Sequence, residues 1–386
     1  MEVSRPASED LAPGVRRPYP ARDGALVRLR VPGGRIDRAT LSALSSLSGT
    51  YGDGLLQLTV RGNLQLRSLP TQADGALEPG LVRDLESTGL LDHPDHERVR
   101  SIVVSSLPAP DRPPMRPLAE ELDAAIVADP DLAGLPGNFL WAIDDGSGDV
   151  ASTRWDLCYQ AVSAASGLVA VAGHQVWEVT RRTAVSSLIT AAQEFVRVRS
   201  RLPRPPLHPH TLGVRDLARY AARLEIKLGS SGVRSLAVTG APPIGPVGDD
   251  LLAGVPLGML TPEMVEVLPD DPVTITPWRQ LLVPRGAYDM AGYRAAGFAI
   301  DPTEPWSRVS ACIGSAGCVH GAVDTLAMAE RLVDAARAGE VVLLDPVHLS
   351  GCEHRCGAPH TSYVDLVAPK RLFEAIDTIQ EGLYQP

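Results

Sequence analysis

Lysine is almost missing from this sequence: among 386 residues only Lys227 and Lys370 occur, and every other Lys/Arg position is arginine. Any anion gripped by a cationic side chain must therefore be gripped largely by guanidinium, whose planar fork suits bidentate carboxylate recognition. A surplus of positive charge is missing too. The formal net charge is −10, which argues against a broad nucleic-acid or anionic-membrane partner. There is no run of about 18 apolar residues, so no transmembrane helix is expected. The first stretch, "MEVSRPASEDLAPGVRRPYPARDG", carries charges and prolines but no apolar segment of the kind a secretory signal needs. Residues 1–19 read as a disordered leader. A cytoplasmic protein is the expectation, and thiols stay reduced there.

Cysteine is scarce but unevenly placed. Four of the five cysteines form two pairs, Cys312 with Cys318 in "SACIGSAGCVHG" and Cys352 with Cys356 in "HLSGCEHRCGAPH". The pattern is C-x5-C, 33 intervening residues, then C-x3-C. In a reducing compartment, paired cysteines point to metal or catalysis before disulfides. Four thiolates can hold a [4Fe–4S] cluster, and small residues between them let backbone amides approach the sulfurs. Zinc is the competing metal: its structural sites use two to four residues between paired cysteines, so x3 fits and x5 does not. Ordinary buried thiols or disulfides are the remaining reading. Cys158 lies in an apolar strand pattern and reads as a core thiol.

Gly (35) and Pro (34) are abundant, so loops are frequent. Alternating or continuous apolar segments predict strands over 25–31, 54–60, 100–106, 138–144, 154–161 and 167–173. Helices are expected from Asp37 to Leu47, over 80–88 and 118–128, from Thr183 to Arg199, and from Val214 to Leu228. The prolines of "RLPRPPLHPH" (201–210) mark a linker. The pattern then restarts, with a helix near 261–268, further strands, an amphipathic helix over 321–339, one or two strands in "EVVLLDPVHLSG" and a closing helix over 370–383. "LTVRGNLQL" (58–66) is echoed by "ITPWRQLLV" (275–283), and "RVRSIVVSS" (98–106) by "RVSACIGSA" (308–316). Two echoes in the same order indicate an internal duplication. This alignment sets Ile102 against Cys312, so only the second copy carries cysteines.

The cysteine spacing resembles the cluster signature of the siroheme nitrite/sulfite reductase superfamily, and "LTVRGNLQLR" resembles its N-terminal motif. The resemblance implies an α+β fold of duplicated nitrite/sulfite reductase-like architecture, with two ferredoxin-like half-domains and two larger α/β halves. The ferredoxin-like halves would cover 20–70 and 250–286. The α/β halves would cover 97–240 and 306–386, the second holding a [4Fe–4S] cluster on Cys312, Cys318, Cys352 and Cys356. Within the superfamily the chain most resembles the precorrin-3B synthase family, in length and in "SACIGSAGC" and "VHLSGCEHRCGAPH". The reductases usually carry Pro-Asn after the third cysteine, where this chain has Glu353-His354. They also grip their small anion with lysines, and neither Lys227 nor Lys370 lies in a matching motif. The resemblance implies oxygen-dependent hydroxylation of precorrin-3A at C20 with γ-lactone formation, in cobalamin biosynthesis. It further implies dioxygen as oxidant, an electron donor (NADH through a reductase, or a ferredoxin), a mononuclear non-haem iron, and the tetrapyrrole lying where a reductase holds siroheme. The other readings are a siroheme-dependent sulfite or nitrite reductase and a non-catalytic iron–sulfur electron carrier.

Precorrins bear several acetates and propionates, and burying a carboxylate without a partner is very costly. "TVRGNLQLR" offers Arg61, Asn63, Gln65 and Arg67, which share one face if the segment is a strand edge. They are the candidate substrate-binding residues, with Arg279 and Gln280 from the second copy as weaker candidates. A solvated polar face is the competing reading. Catalytic residues are not assignable. His320, His348, His354 and His360 cluster around the cysteines in sequence, His354 between two of them. "HPDHE" (93–97) reads as a solvated loop, and so do His208 and His210. No two-histidine, one-carboxylate arrangement is visible, so the ligands of a mononuclear iron stay unassigned. Asn138 stands where the superfamily often has Lys or Arg before Phe, and Asp144-Asp145-Gly146 reads as a hairpin turn.

Overall fold

The computed structural model describes residues 10–172, 176–229, 234–359 and 362–383. Local chemistry explains the first helix, Arg38–Tyr51. Asp37 caps it by accepting from Thr40 N at 2.7 Å, Leu41, Leu44 and Ser48 face inward, and Gly52 ends it. The helices expected over 80–88, 118–128 and 183–199 lie at Pro79–Glu86, Arg116–Ala128 and Ala184–Arg199, and Val214–Leu228 begins and ends as expected. In "EVVLLDPVHLSG" one strand forms, Val347–Ser350.

The duplication is visible as two five-stranded antiparallel sheets. The first runs Tyr19–Ala21, Gly24–Leu29, Leu64–Leu69, Leu56–Leu58, Met259–Leu260. The second runs Gly245–Val247, Asp250–Gly254, Gln280–Val283, Val273–Ile275, Arg35–Ile36. Each sheet thus takes its last strand from the other copy: Met259 pairs with Gln57, and Thr274 with Arg35. Two matching turns make the exchange, Val31-Pro32-Gly33-Gly34 and Val255-Pro256-Leu257-Gly258. A Cβ on Gly34 would lie 2.1 Å from Ile275 O, and one on Gly258 would lie 2.9 Å from Leu58 O. Both glycines also have positive φ, 73° and 74°, so only glycine fits without strain. The exchanged Ile36 and Leu260 are 4% and 1% exposed in one apolar core shared by Leu29, Leu64, Leu251 and Leu281. Burial of each contributes about 1.5–3 kcal/mol. The segments expected as half-domains 20–70 and 250–286 are therefore one packed body.

The first α/β half is a five-stranded sheet ordered Val176–Thr180, Ser166–Val171, Leu157–Ala161, Trp141–Asp144, Ile102–Val104, packed against helices through Trp141, Phe139, Phe195 and Tyr220. The second has three parallel strands, Val309–Ala311, Val347–Ser350 and Val364–Val367, sharing a core with helices Thr325–Arg337 and Leu372–Leu383.

The structure corrects several expectations. Ser105 N donates to Ile143 O and Asp145 N to Ser105 Oγ, just as Cys312 N donates to Leu349 O and Gly351 N to Cys312 Sγ. Ser105, not Ile102, therefore occupies the position of Cys312. Asp144-Asp145-Gly146 is no hairpin, because the strands on either side pair in parallel. The Asp144 carboxylate instead organises the crossover, accepting from the amides of Gly146, Gly148 and Ala151 at 2.8–3.0 Å. The leader is packed from residue 10: Asp10 accepts from Gly137 N and Arg98, Val15 is 3% exposed, and residues 1–9 lie outside the described residues. His96 is buried, with Nε2 at 2.9 Å from Asp129 O. No helix among the described residues is long and apolar enough to cross a membrane.

Candidate cluster site and anion cleft

Strands Val309–Ala311 and Val347–Ser350 are parallel neighbours, so their C-terminal ends emerge together. Cys312 follows the first and Cys352 the second. Cys318 comes after a short turn, its N–H bonded to Gly314 O at 3.0 Å. Before Cys356, Arg355 takes φ 46°, held by its ion pairs with Asp365 and Glu353. The glycines between the cysteines are required by packing. A Cβ on Gly314 would lie 2.5 Å from Thr325 Oγ1, one on Gly321 2.3 Å from Gly314 C, and one on Gly317 2.4 Å from Arg67 Nη2. This closeness lets Gly314 N and Gly351 N reach Cys312 Sγ at 3.3 and 3.1 Å. Such donors would tune the reduction potential of a cluster held by that sulfur.

Four cysteine sulfurs on the loops that leave two neighbouring parallel strands are a donor set that suits an iron–sulfur cluster. Cys158 is fully buried in the other half, where burial pushes its thiol far up. It is a core residue.

Beside the cysteines a cleft of about 400 Å³ opens between the first antiparallel sheet and the second α/β half. Cys312, Cys318 and Cys356 line it, as do Arg28, Arg61, Gln65, Arg67 and Arg279. The predicted residues divide by role. Gln65 bonds Arg28 Nη2 and Gln57. Arg67 makes a bidentate pair with Asp23 (2.9 and 3.0 Å) and donates to Gly317 O at 3.0 Å, so it anchors the loop between Cys312 and Cys318. Asn63 points away from the cleft: fully buried, it accepts from Val31 N and donates to Ser101 Oγ. The period-two face expected from Arg61 to Arg67 is broken because Leu64–Leu69 is the strand, while Thr59 to Asn63 turn through Gly62 at φ 62°. Arg279 occupies the equivalent turn of the second copy with φ 59°, and Nη2 reaches Gly357 O at 3.1 Å. Gln280 donates to Pro242 O and lines an adjoining cavity of about 200 Å³.

At the cleft Arg61 feels the charge of Asp156, whereas no carboxylate among the described residues acts on Arg28 or Arg279. The Nε atoms of Arg28, Arg61 and Arg279 are buried and lack a hydrogen-bond partner. Burial, then the charge of Arg61, pushes Arg28 down to about 10; burial pushes Arg279 down to about 10 and lowers Arg61, with Asp156 opposing in the last case. Arginine stays cationic at neutral pH, and the lowering records chiefly the cost of burying the charge, with Arg61 adding to it at Arg28. Sequence reasoning overlooked Arg28. Its signal was present: two arginines, Arg28 and Arg30, interrupt the apolar strand "ALVRLRV". Arg30 serves the fold, donating to Pro13 O, Arg28 O and Gly137 O at 2.6–2.8 Å.

His348 is buried, with Nδ1 2.9 Å from Ser310 Oγ; burial first and then the charge of Arg279 push it down to about 4, so it is neutral at pH 7. His354 Nδ1 lies 3.3 Å from Cys352 Sγ, and its ring is 5.3 Å from that of His320. His360 lies outside the described residues. His208 is not a solvated loop residue: its Nδ1 lies 2.9 Å from Asp156 Oδ1, and His210 stands beside it.

Comparison with known proteins agrees with this architecture. Residues 19–77 match a family model described as the nitrite/sulfite reductase ferredoxin-like half domain. The chain is 27% identical over 409 residues to a Sinorhizobium protein named precorrin-3B synthase, covering 96% of this chain and 83% of that protein. Among solved structures, the Mycobacterium tuberculosis NirA protein superposes with a TM-score of 0.64 at 19% identity, covering 86% of this chain and 69% of that one. The last likeness is one of fold. Together the three bear out the α+β architecture of the nitrite/sulfite reductase type and the resemblance on which it was expected.

Proposed function

We propose that this chain catalyses the precorrin-3B synthase reaction, the oxygen-dependent hydroxylation of precorrin-3A at C20 with closure of a ring acetate to a γ-lactone. One observation carries the reading: Arg28, Arg61 and Arg279 present guanidiniums with buried, unpartnered Nε atoms in the same cleft that Cys312, Cys318 and Cys356 line. A macrocycle edged with carboxylates meets that need, and each charge-assisted bond is worth about 1.5–3 kcal/mol. The relative's name supports the substrate class.

In this reading Cys312, Cys318, Cys352 and Cys356 hold a [4Fe–4S] cluster, which supplies one-electron relay chemistry when bound. One oxygen atom of dioxygen enters the substrate and the other leaves as water, with two electrons and two protons from the donor, NADH through a reductase or a ferredoxin. The chain's own residues bind and orient. Arg28, Arg61 and Arg279 neutralise the acid side arms, and Arg67, through Gly317 O, holds the cysteine loop against the cleft. The acetate that closes the lactone must keep an oxygen free to attack, so one side arm is not clamped from both oxygens.

The scarcity of lysine noted in the sequence bears on the choice between this reading and a siroheme-dependent reductase. Lys227 pairs with Glu194 at 2.7 Å in the first α/β half, and Lys370 is exposed, so neither lysine lines the cleft. An anaerobic preparation assayed for iron, acid-labile sulfide and visible spectrum tests the proposal. Four cluster irons with sulfide and no chlorin bands are expected, followed by label from dioxygen in the product. Chlorin bands in the purified protein would identify a siroheme reductase. A colourless, sulfide-free protein would overturn the cluster assignment.

A further inference from the structure

Asp156, His208 and His210 each offer a ligand atom, and these atoms lie within 4.8 Å of one another. They are far apart in sequence. Asp156 immediately precedes strand Leu157–Ala161 and is 1% exposed. His208 and His210 flank Pro209 in a single turn, Pro209–Thr211. Arg199 pins the approach to that turn by donating to Pro206 O and Gly134 O at 3.1 and 2.6 Å. The two imidazoles stack with centroids 5.1 Å apart and planes 17° apart.

From this geometry we infer that Asp156, His208 and His210 form a binding site for one divalent first-row transition-metal ion. Two histidines and one carboxylate with positions left open is the donor set of non-haem iron(II) sites. Ligands bonded at about 2.1 Å and at right angles stand about 3.0 Å apart; Asp156 Oδ1 and His208 Nδ1 stand 2.9 Å apart. The surrounding bonds fit a metal ligand's needs. Asp156 Oδ2 accepts from Leu140 N at 2.8 Å, which leaves Oδ1 to the ion. His208 Nε2 lies 3.1 Å from the Asn138 side-chain amide, whose Oδ1 is buried without a partner. With Nδ1 on a metal, Nε2 must carry the proton. Rotating the amide by half a turn brings the orphaned Oδ1 to accept it, the outer-sphere bond that orients metal-bound histidines. This also gives a role to Asn138, since a cationic residue there could not accept that hydrogen bond. His210 is exposed, so the site can be reached from solvent. Asp156 is close enough for its charge to act on Arg61 in the cleft. The site stands on its own geometry; that its physiological ion is iron(II) rests on the oxygen-using reaction proposed above.

The test uses cluster-bearing protein, dialysed against a chelator and titrated anaerobically with cobalt(II). One equivalent should bind with visible d–d bands, while absorption of the cluster stays unchanged. His210→Ala should weaken binding at least tenfold and His208→Ala should abolish the bands. As Asp156→Asn risks the fold, exposed His210 carries the decision. Absence of cobalt bands in the unmodified protein, or bands of equal intensity and affinity in His210→Ala, overturns the site. Tetrapyrrole affinity measured on the same samples separates the two readings. Retained affinity without cobalt bands refutes the metal site alone, whereas cobalt bands without tetrapyrrole affinity support the site and refute the proposed substrate.

Discussion

Replacing Arg28 with methionine should separate ligand binding from stability, with opposite signs. In the free protein the guanidinium lies beside Arg61, and burial and that charge push its pKa down to about 10 from the usual arginine range. At about 1.4 kcal/mol per unit, the charged form is disfavoured by about 3 kcal/mol. The residue lines an open cleft, and screening by solvent reduces this to about 1–2 kcal/mol. Arg28 is a base whose folded-state pKa is depressed. The unfolded chain therefore binds its proton more tightly above about pH 10, up to its own ordinary pKa, and the cost is fully present at every pH below about 10. Methionine keeps the apolar stem and removes the charge. The bond from Arg28 Nη2 to Gln65 Oε1, at 3.1 Å, is lost, which costs about 1 kcal/mol. The ligand-free variant should therefore melt at the same temperature as the parent or up to a few degrees higher. Binding should move the other way: loss of one charge-assisted contact weakens a polycarboxylate tetrapyrrole by about 10- to 150-fold. Thermal melts without ligand, paired with an absorption titration using an eight-carboxylate porphyrin, read both quantities. A variant that melts clearly lower and binds with undiminished affinity would refute the reasoning, because Arg28 would then be a structural residue.

Arg61→Ala should likewise weaken the porphyrin at least tenfold and leave iron and sulfide content unchanged. Cys356→Ser should lose cluster iron and labile sulfide together, while Cys158→Ala, in a separate core, should keep both; full sulfide in the Cys356 variant would refute its role. Gly314→Ala forces a left-handed φ of 58° on a Cβ that meets Thr325 Oγ1 and Val323 O at 2.5 Å. It should cost at least about 2 kcal/mol and reduce cluster content, checked by denaturant melts and sulfide assay. Asp37→Ala should cost about 1 kcal/mol through the lost helix cap. The Asp37 carboxyl is lowered chiefly by accepting from Thr40 N. Its contribution is thus present above the unfolded carboxyl pKa and lost as pH falls through the folded value, so the two proteins should converge in stability in acid.

Local signals wrote most of the secondary structure. Apolar spacing and a capping aspartate are sufficient for Arg38–Tyr51, because the bonds that make a helix run between residues four apart. Strand periodicity marked Leu157–Ala161 and Ser166–Val171 for the same reason. Two cysteine pairs in glycine-rich loops marked the candidate cluster loops, since sulfur ligands and close backbone approach are properties of residue type. The reliance on arginine was equally plain from two lysines in the whole chain. What sequence could not supply was partnership between distant segments. The exchange of Arg35–Ile36 for Met259–Leu260 depends on two glycines meeting carbonyls of the opposite copy. The hairpin expected at Asp144-Asp145-Gly146 failed because a turn dipeptide says nothing about whether the next strand runs parallel. Arg28, Arg61 and Arg279 converge only once both sheets are formed, and the equivalence of Ser105 with Cys312 shows only in their hydrogen bonds. Asp156 reaches His208 across 52 residues of chain. Residue type and short-range spacing therefore determined which chemistry this protein carries. Burial and strand pairing across the duplicated core decided where that chemistry meets, because only packing brings residues distant in the chain into contact.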